Sequence, residues 1–138
     1  MKINRYYLPA IAWTLIVLIL TLLPAPDLPH TFFSAIPYFD KMVHAGIFGL
    51  FVILWYAGAY KSYRTKTAEK SYHPMTLLAR VILAAVLLGL IIEVVQREWT
   101  SLHRDFEWFD WIADILGAFF GGAIANEIFR IRPAGKDV

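Results

Sequence analysis

Asp40, Lys41 and His44 fall within five residues of one another in the stretch FDKMVHAGIFG, and Asp110 and Asp114 repeat the spacing of four in FDWIADILGAFFG. On a helix, residues four apart share a face, so each pair presents two polar groups together. Imidazole is the side chain whose ordinary titration lies nearest neutrality, and carboxylates around it suit general acid–base work. Two further pairs stand at helical spacing: Glu93 with Gln96, and Arg104 with Glu107. Arginine adds a planar donor fork for anionic groups. The candidate catalytic set is His44, Glu93, Asp110 and Asp114. The candidate ligand-binding set adds Asp40, Lys41, Gln96, Arg104 and Glu107.

These residues must be positioned by unusually apolar elements. Of 138 residues, 59% are hydrophobic and only 17% are charged, against about 25% charged in soluble domains. The excess forms four blocks, predicted as helices over about 8–23, 41–60, 76–96 and 111–129. Each lies near the ~20 residues a helix needs to cross a bilayer. Only helices and closed barrels satisfy their backbone groups in hydrocarbon, and the blocks lack period-2 alternation. The expected fold is therefore all-α, an integral membrane four-helix bundle forming a single domain over 1–138. The first block follows Lys2 and Arg5 like a signal peptide. The proline-rich TLLPAPDLPH after it lacks a clean cleavage site, so an uncleaved anchor is expected.

Basic residues set the orientation. Lys2, Arg5, Lys61, Arg64, Lys66, Lys70, Arg80, Arg130, Arg132 and Lys136 fall on one side, whereas Lys41, Arg97 and Arg104 fall on the other. Both termini are thus expected to be cytoplasmic. The second and fourth helices then begin outside and the third ends there, which gathers all nine candidate residues at the outer face. A rise of 1.5 Å per residue puts His44 and Asp114 about 6 Å below Asp40 and Asp110. Two tiers follow: Asp40, Gln96, Glu107 and Asp110 outside, and His44, Glu93 and Asp114 beneath. Ionisable residues within a span usually face an interior or a wet cavity, so an outward crevice is expected. Asp110, Asp114, Gly117 and Gly121 share one helix face, and the two glycines form a small-x-x-x-small packing pattern.

Plainer roles stand beside these. Asp40 and Asp110 suit helix N-caps, and Arg104 with Glu107 suits a solvated surface pair. Trp99, Trp108 and Trp111 suit an interfacial aromatic belt. His44 with Glu93, Asp110 and Asp114 is a hard, oxygen-rich donor set, but no local ligand motif such as HExxH is present; neither metal nor cofactor is assigned. Cysteine is absent, which excludes disulfides and thiolate ligands. There is no G-x-S-x-G nucleophile motif and no glycine-rich phosphate loop.

The motifs Asp40-Lys41-x-x-His44, Glu93-x-x-Gln96 and Arg104-x-x-Glu107-x-x-Asp110-x-x-x-Asp114-x-x-Gly117-x-x-x-Gly121, in this order, resemble the VanZ-like family of small bacterial membrane proteins. The proline-rich first loop is also typical, and the resemblance runs from about Leu8 to Gly122. Asp114 departs from it, since the family often has asparagine there. The resemblance implies a multi-pass protein of the bacterial cytoplasmic membrane. The family's namesake is associated with low-level resistance to teicoplanin, which implies a link to antibiotic susceptibility and the cell envelope.

The leading expectation is a protein that binds or modulates an amphipathic ligand, a membrane lipid or a lipidated cell-wall ligand. Arg104 and Lys41 would meet its anionic groups, and the apolar faces below would take its chain. The alternative is a membrane enzyme acting on a lipid headgroup, with His44 as general acid or base. A proton-coupled transporter, requiring an oligomer, and a structural partner subunit also remain open. Nucleic acid is not an expected partner.

Overall fold

The computed structural model describes residues 4–22, 38–66, 73–99 and 107–130. Arg104, Lys70, the proline-rich segment after the first helix and the basic tail lie outside them. A short 3-10 turn, Arg5–Tyr7, leads into four helices: α1 (Leu8–Leu22), α2 (Phe39–Lys66), α3 (Pro74–Glu98) and α4 (Trp108–Arg130). No strand occurs among the described residues. All four helices are long and apolar enough to cross a membrane. The chain is an all-α, multi-pass membrane protein.

Several helix ends lie outside their apolar blocks. α2 runs on to Lys66 through YKSYRTK, because lysine and arginine are good helix formers and cations at a C-terminus oppose the helix dipole. α3 opens on Pro74, whose missing N–H costs nothing at a first helical position. α2 and α4 begin at Phe39 and Trp108, so Asp40 and Asp110 lie within their first turns and not at the cap positions. There they face the positive ends of two parallel helix dipoles.

The bundle is inverted relative to a soluble protein. Leu15, Ile19, Leu83, Ile91, Leu116, Phe119 and Phe120 are exposed, whereas Glu93, Gln96, Asp114, Ser62 and Thr21 are buried. A contiguous apolar exterior of this size marks a surface meant for something other than water. Inside, small residues bring backbones together. A Cβ on Gly117 would run into the backbone of Ala45, and one on Gly121 into that of Gly49. α2 and α4 are therefore in direct backbone contact, with Phe48, Val52, Ala118 and Ala125 in the same core.

Indole groups tie the other helices to this pair. Trp13 Nε1 donates to Ile47 O (3.1 Å) and Trp55 Nε1 to Thr14 Oγ1 (3.0 Å), joining α1 to α2. Trp111 Nε1 donates to Val86 O (3.2 Å), joining α4 to α3. Trp111 is thus an inter-helix tie, while Trp99 and Trp108 remain exposed at the helix ends, as an interfacial belt requires. At the opposite end, Asn4 Nδ2 donates to Ser62 Oγ (2.8 Å).

Candidate functional site

The alternating helix directions bring the starts of α2 and α4 to the end of α3, and a polar cluster forms there. Lys41 is its outer centre. Its Nζ lies 2.6 Å from Asp40 Oδ2 and 2.8 Å from Glu107 Oε2, and it also bonds Asp110 Oδ1. An ammonium has three protons to donate, and each meets a carboxylate. Lys41 is therefore fully engaged within the protein. The expectation that it greets a ligand's anionic group is corrected: its charge is spent on three acids that would otherwise repel one another.

One turn deeper, His44 Nδ1 lies 2.9 Å from Asp114 Oδ1, and His44 Nε2 lies 3.6 Å from Asp110 Oδ2. Asp110 thus bridges the tiers, with one oxygen toward Lys41 and the other toward the imidazole. Gly89 of α3 makes room for this pair, since a Cβ there would come within 2.7 Å of Asp114 Oδ2. His44 faces the bundle, as the crevice argument demands.

Glu93 enters from α3. Its Oε2 accepts the backbone N–H of Glu107 (3.1 Å), the residue immediately before α4. A carboxylate at that place satisfies a donor at a helix start and complements its dipole. Its other oxygen, Oε1, is the one buried side-chain oxygen or nitrogen among the described residues that has no hydrogen-bond partner. One ligand atom each from His44, Glu93 and Asp110 lies within 4.8 Å of the others, and the same holds for Asp40, Glu107 and Asp110.

The two tiers are present with altered membership. Asp40 and Glu107 keep more than half of their side chains exposed, whereas Glu93 and Asp114 are each only 1% exposed. The crevice is closed above the inner acids in this conformation. Gln96 does not join the outer tier. It is buried, and its Nε2 donates to Thr21 O at 2.8 Å. That carbonyl belongs to the last turn of α1, where intrahelical donors run out, so Gln96 caps one helix from another. Arg104 lies outside the described residues. Of the nine candidates, Asp40, Lys41, His44, Glu93, Glu107, Asp110 and Asp114 converge.

Gly89 was missed from the sequence, although an isolated glycine inside a helical pattern often has a packing reason. So was a groove beside the cluster, of about 690 Å³, whose walls include Met42, Gly46 and Leu50 of α2 and Leu116, Phe120 and Ile124 of α4. Its first residue on α2, Met42, follows Lys41 in the chain, and its walls also include Gly49, Gly117 and Gly121 of the glycine contact. The fold and cluster together define a class: a multi-pass helical membrane protein with an acidic site sealed near one end of its bundle. Comparison with known proteins adds no closer identity, for the chain matches no family model, no curated protein and no solved structure.

Proposed function

We propose that this is a VanZ-like protein of the bacterial cytoplasmic membrane that holds an amphipathic ligand of the cell envelope at its outer face. The ligand is a membrane lipid or a lipidated cell-wall molecule. Its polar end meets the ring of Asp40, Glu107 and Asp110 around Lys41, Arg104 supplies a cation for its anionic groups, and its chain lies in the groove between α2 and α4. The carrying observation is adjacency: Met42, the first residue of α2 to line the groove, directly follows Lys41 in the chain. The motif resemblance and the inward bias of basic residues support the placement and the outward orientation. An effect on antibiotic susceptibility follows if the ligand is a cell-wall precursor or a lipidated glycopeptide.

Gly46 allows a clean test. It lines the groove, yet a Cβ there meets nothing within 4 Å, so Gly46→Trp fills the groove without opening the helix contact. Native mass spectrometry of protein purified from bacterial membranes should show bound lipid in the wild type. Gly46→Trp should lose the lipid, and Asp110→Asn should weaken its retention. Equal retention in all three proteins would sink the proposal.

A second reading has its own observation. His44 is held at Nδ1 by Asp114 with Nε2 toward Asp110, a geometry that orients an imidazole for proton transfer. A membrane enzyme acting on a lipid headgroup would use His44 in that way. Comparative lipid profiles then differ between wild type and His44→Ala while lipid retention is unchanged; identical profiles exclude it.

A further inference from the structure

We propose that His44, Glu93 and Asp110 form a binding site for one divalent transition-metal ion, with Asp114 as the residue that positions the imidazole. Three observations converge. A ring nitrogen of His44 and a carboxylate oxygen from each of Glu93 and Asp110 lie within 4.8 Å of one another. Two ligands bound at about 2.1 Å to a tetrahedral ion are about 3.4 Å apart, and His44 Nε2 and Asp110 Oδ2 are already 3.6 Å apart. Small side-chain rotations close the set.

The second observation is independent of the clustering. Glu93 is 1% exposed, and its Oε1 has no partner. A buried carboxylate oxygen left without a donor is costly, and neither His44 nor Asp110, which lie beside Glu93, bonds it. A cation held among these side chains supplies what this oxygen lacks.

Charge supplies the third. Glu93, Asp110 and Asp114 are the three inner acids, and Lys41 contributes one positive charge to Asp110. Lys41 is shared with Asp40 and Glu107 as well, so one divalent ion with a neutral imidazole offsets most of the negative charge that the three inner acids bring together. The contact between His44 Nδ1 and Asp114 Oδ1 fits this state, because a metal-bound histidine commonly donates its other N–H to a carboxylate. Nε2 is then left for the ion. One imidazole with two carboxylates suits Zn²⁺ or Mn²⁺ and leaves positions open for water or an anionic oxygen of a ligand. The site stands whether or not a lipid occupies the groove. An ion on Nε2 also removes that atom as a general base, which separates this proposal from the acid–base reading.

The test uses the full chain, metal-stripped, in detergent or nanodiscs. Titration with Zn²⁺ and with Mn²⁺, followed by calorimetry and elemental analysis, should give one equivalent bound with a raised melting temperature. Glu93→Gln and His44→Gln should each lower the affinity at least tenfold. Asp114→Asn should cost roughly 10–100-fold, the usual effect of removing a histidine's outer partner. Glu98→Gln changes an exposed carboxylate outside the cluster and should leave the stoichiometry at one. Glu107→Gln separates the inner set from the Asp40–Glu107–Asp110 ring: loss of the ion there with retention in Glu93→Gln overturns the assignment. Should the inner variants fail to fold, X-ray absorption on Zn²⁺-loaded wild type decides. An imidazole signature in an oxygen-rich shell supports the site, and a shell without imidazole overturns it. A folded wild type that binds neither ion at millimolar concentration overturns it too.

Discussion

Lys41 illustrates how one side chain sets the state of its neighbours. Replacing it with methionine leaves Asp40, Glu107 and Asp110 facing one another without a cation. Breaking a buried pair at one partner costs about 3–5 kcal/mol, and the partial exposure of Lys41 lowers the expectation to about 2–4 kcal/mol. Glu107→Gln, at a largely exposed partner, should cost about 0–1 kcal/mol. Thermal unfolding of both variants in one detergent checks the order, and an equal loss would contradict the central role of Lys41. The sequence showed which residues were chemical but not which of them spend their capacity on each other. The spacing of Asp40 and His44 predicts a shared face; it does not reveal that Lys41 faces three acids, because two of them, Glu107 and Asp110, come from a stretch more than sixty residues away. Gln96 was misassigned for the same reason. Its place beside Glu93 suggested a shared site, whereas its partner is a carbonyl of α1 that no local pattern marks.

The helices were legible because each required a long apolar run and hydrocarbon admits few alternatives. Their ends were less so. α2 and α4 start two and three residues ahead of their apolar blocks, and hydropathy does not register a first turn made of charged and aromatic residues. The glycine spacing at Gly117 and Gly121 was readable as a packing stripe, but its partner surface, Ala45 and Gly49, was not. That contact predicts a sharp asymmetry among glycines. Gly117→Ala and Gly121→Ala each drive a methyl group into opposing backbone and should cost about 1–3 kcal/mol, the usual range for overpacking. Gly46→Ala meets nothing and should be neutral or slightly stabilising, since alanine exceeds glycine in helix propensity by about 1 kcal/mol. Gly89→Ala should displace the Asp114 carboxylate with little change in stability, read as altered His44 ring resonances in NMR. Unaltered resonances would show that the carboxylate has room to spare.

At the scale of the whole molecule, four spans place the two termini on one side and the polar cluster on the other. The chain has no cysteine, so single cysteines introduced at exposed helix ends report topology without background. Lys61→Cys should react with a membrane-impermeant maleimide only after the cells are opened, and Glu98→Cys should react in intact cells. The reverse pattern would invert the orientation and place the cluster at the cytoplasmic face. The expected orientation rests on the charge bias of the sequence, a signal summed over ten residues and hence robust to errors at any one helix end.

The long sequence separations inside the cluster bear on how the protein is made. Lys41 precedes Glu107 and Asp110 by 66 and 69 residues, and His44 precedes Asp114 by 70. During synthesis the groups able to neutralise α4 therefore enter the membrane with α2, before the acids of α4 emerge. An isolated α4 would bring Asp110 and Asp114 into the bilayer uncompensated; a carboxylate costs about 2.5–3.5 kcal/mol at a helix centre and less toward the helix start, where these two lie. With α2 already in place, the same helix meets an ammonium and an imidazole. Biogenesis is thereby directional: α2 can wait for α4, but α4 behind a deleted α2 should insert poorly and become a substrate for quality-control proteolysis.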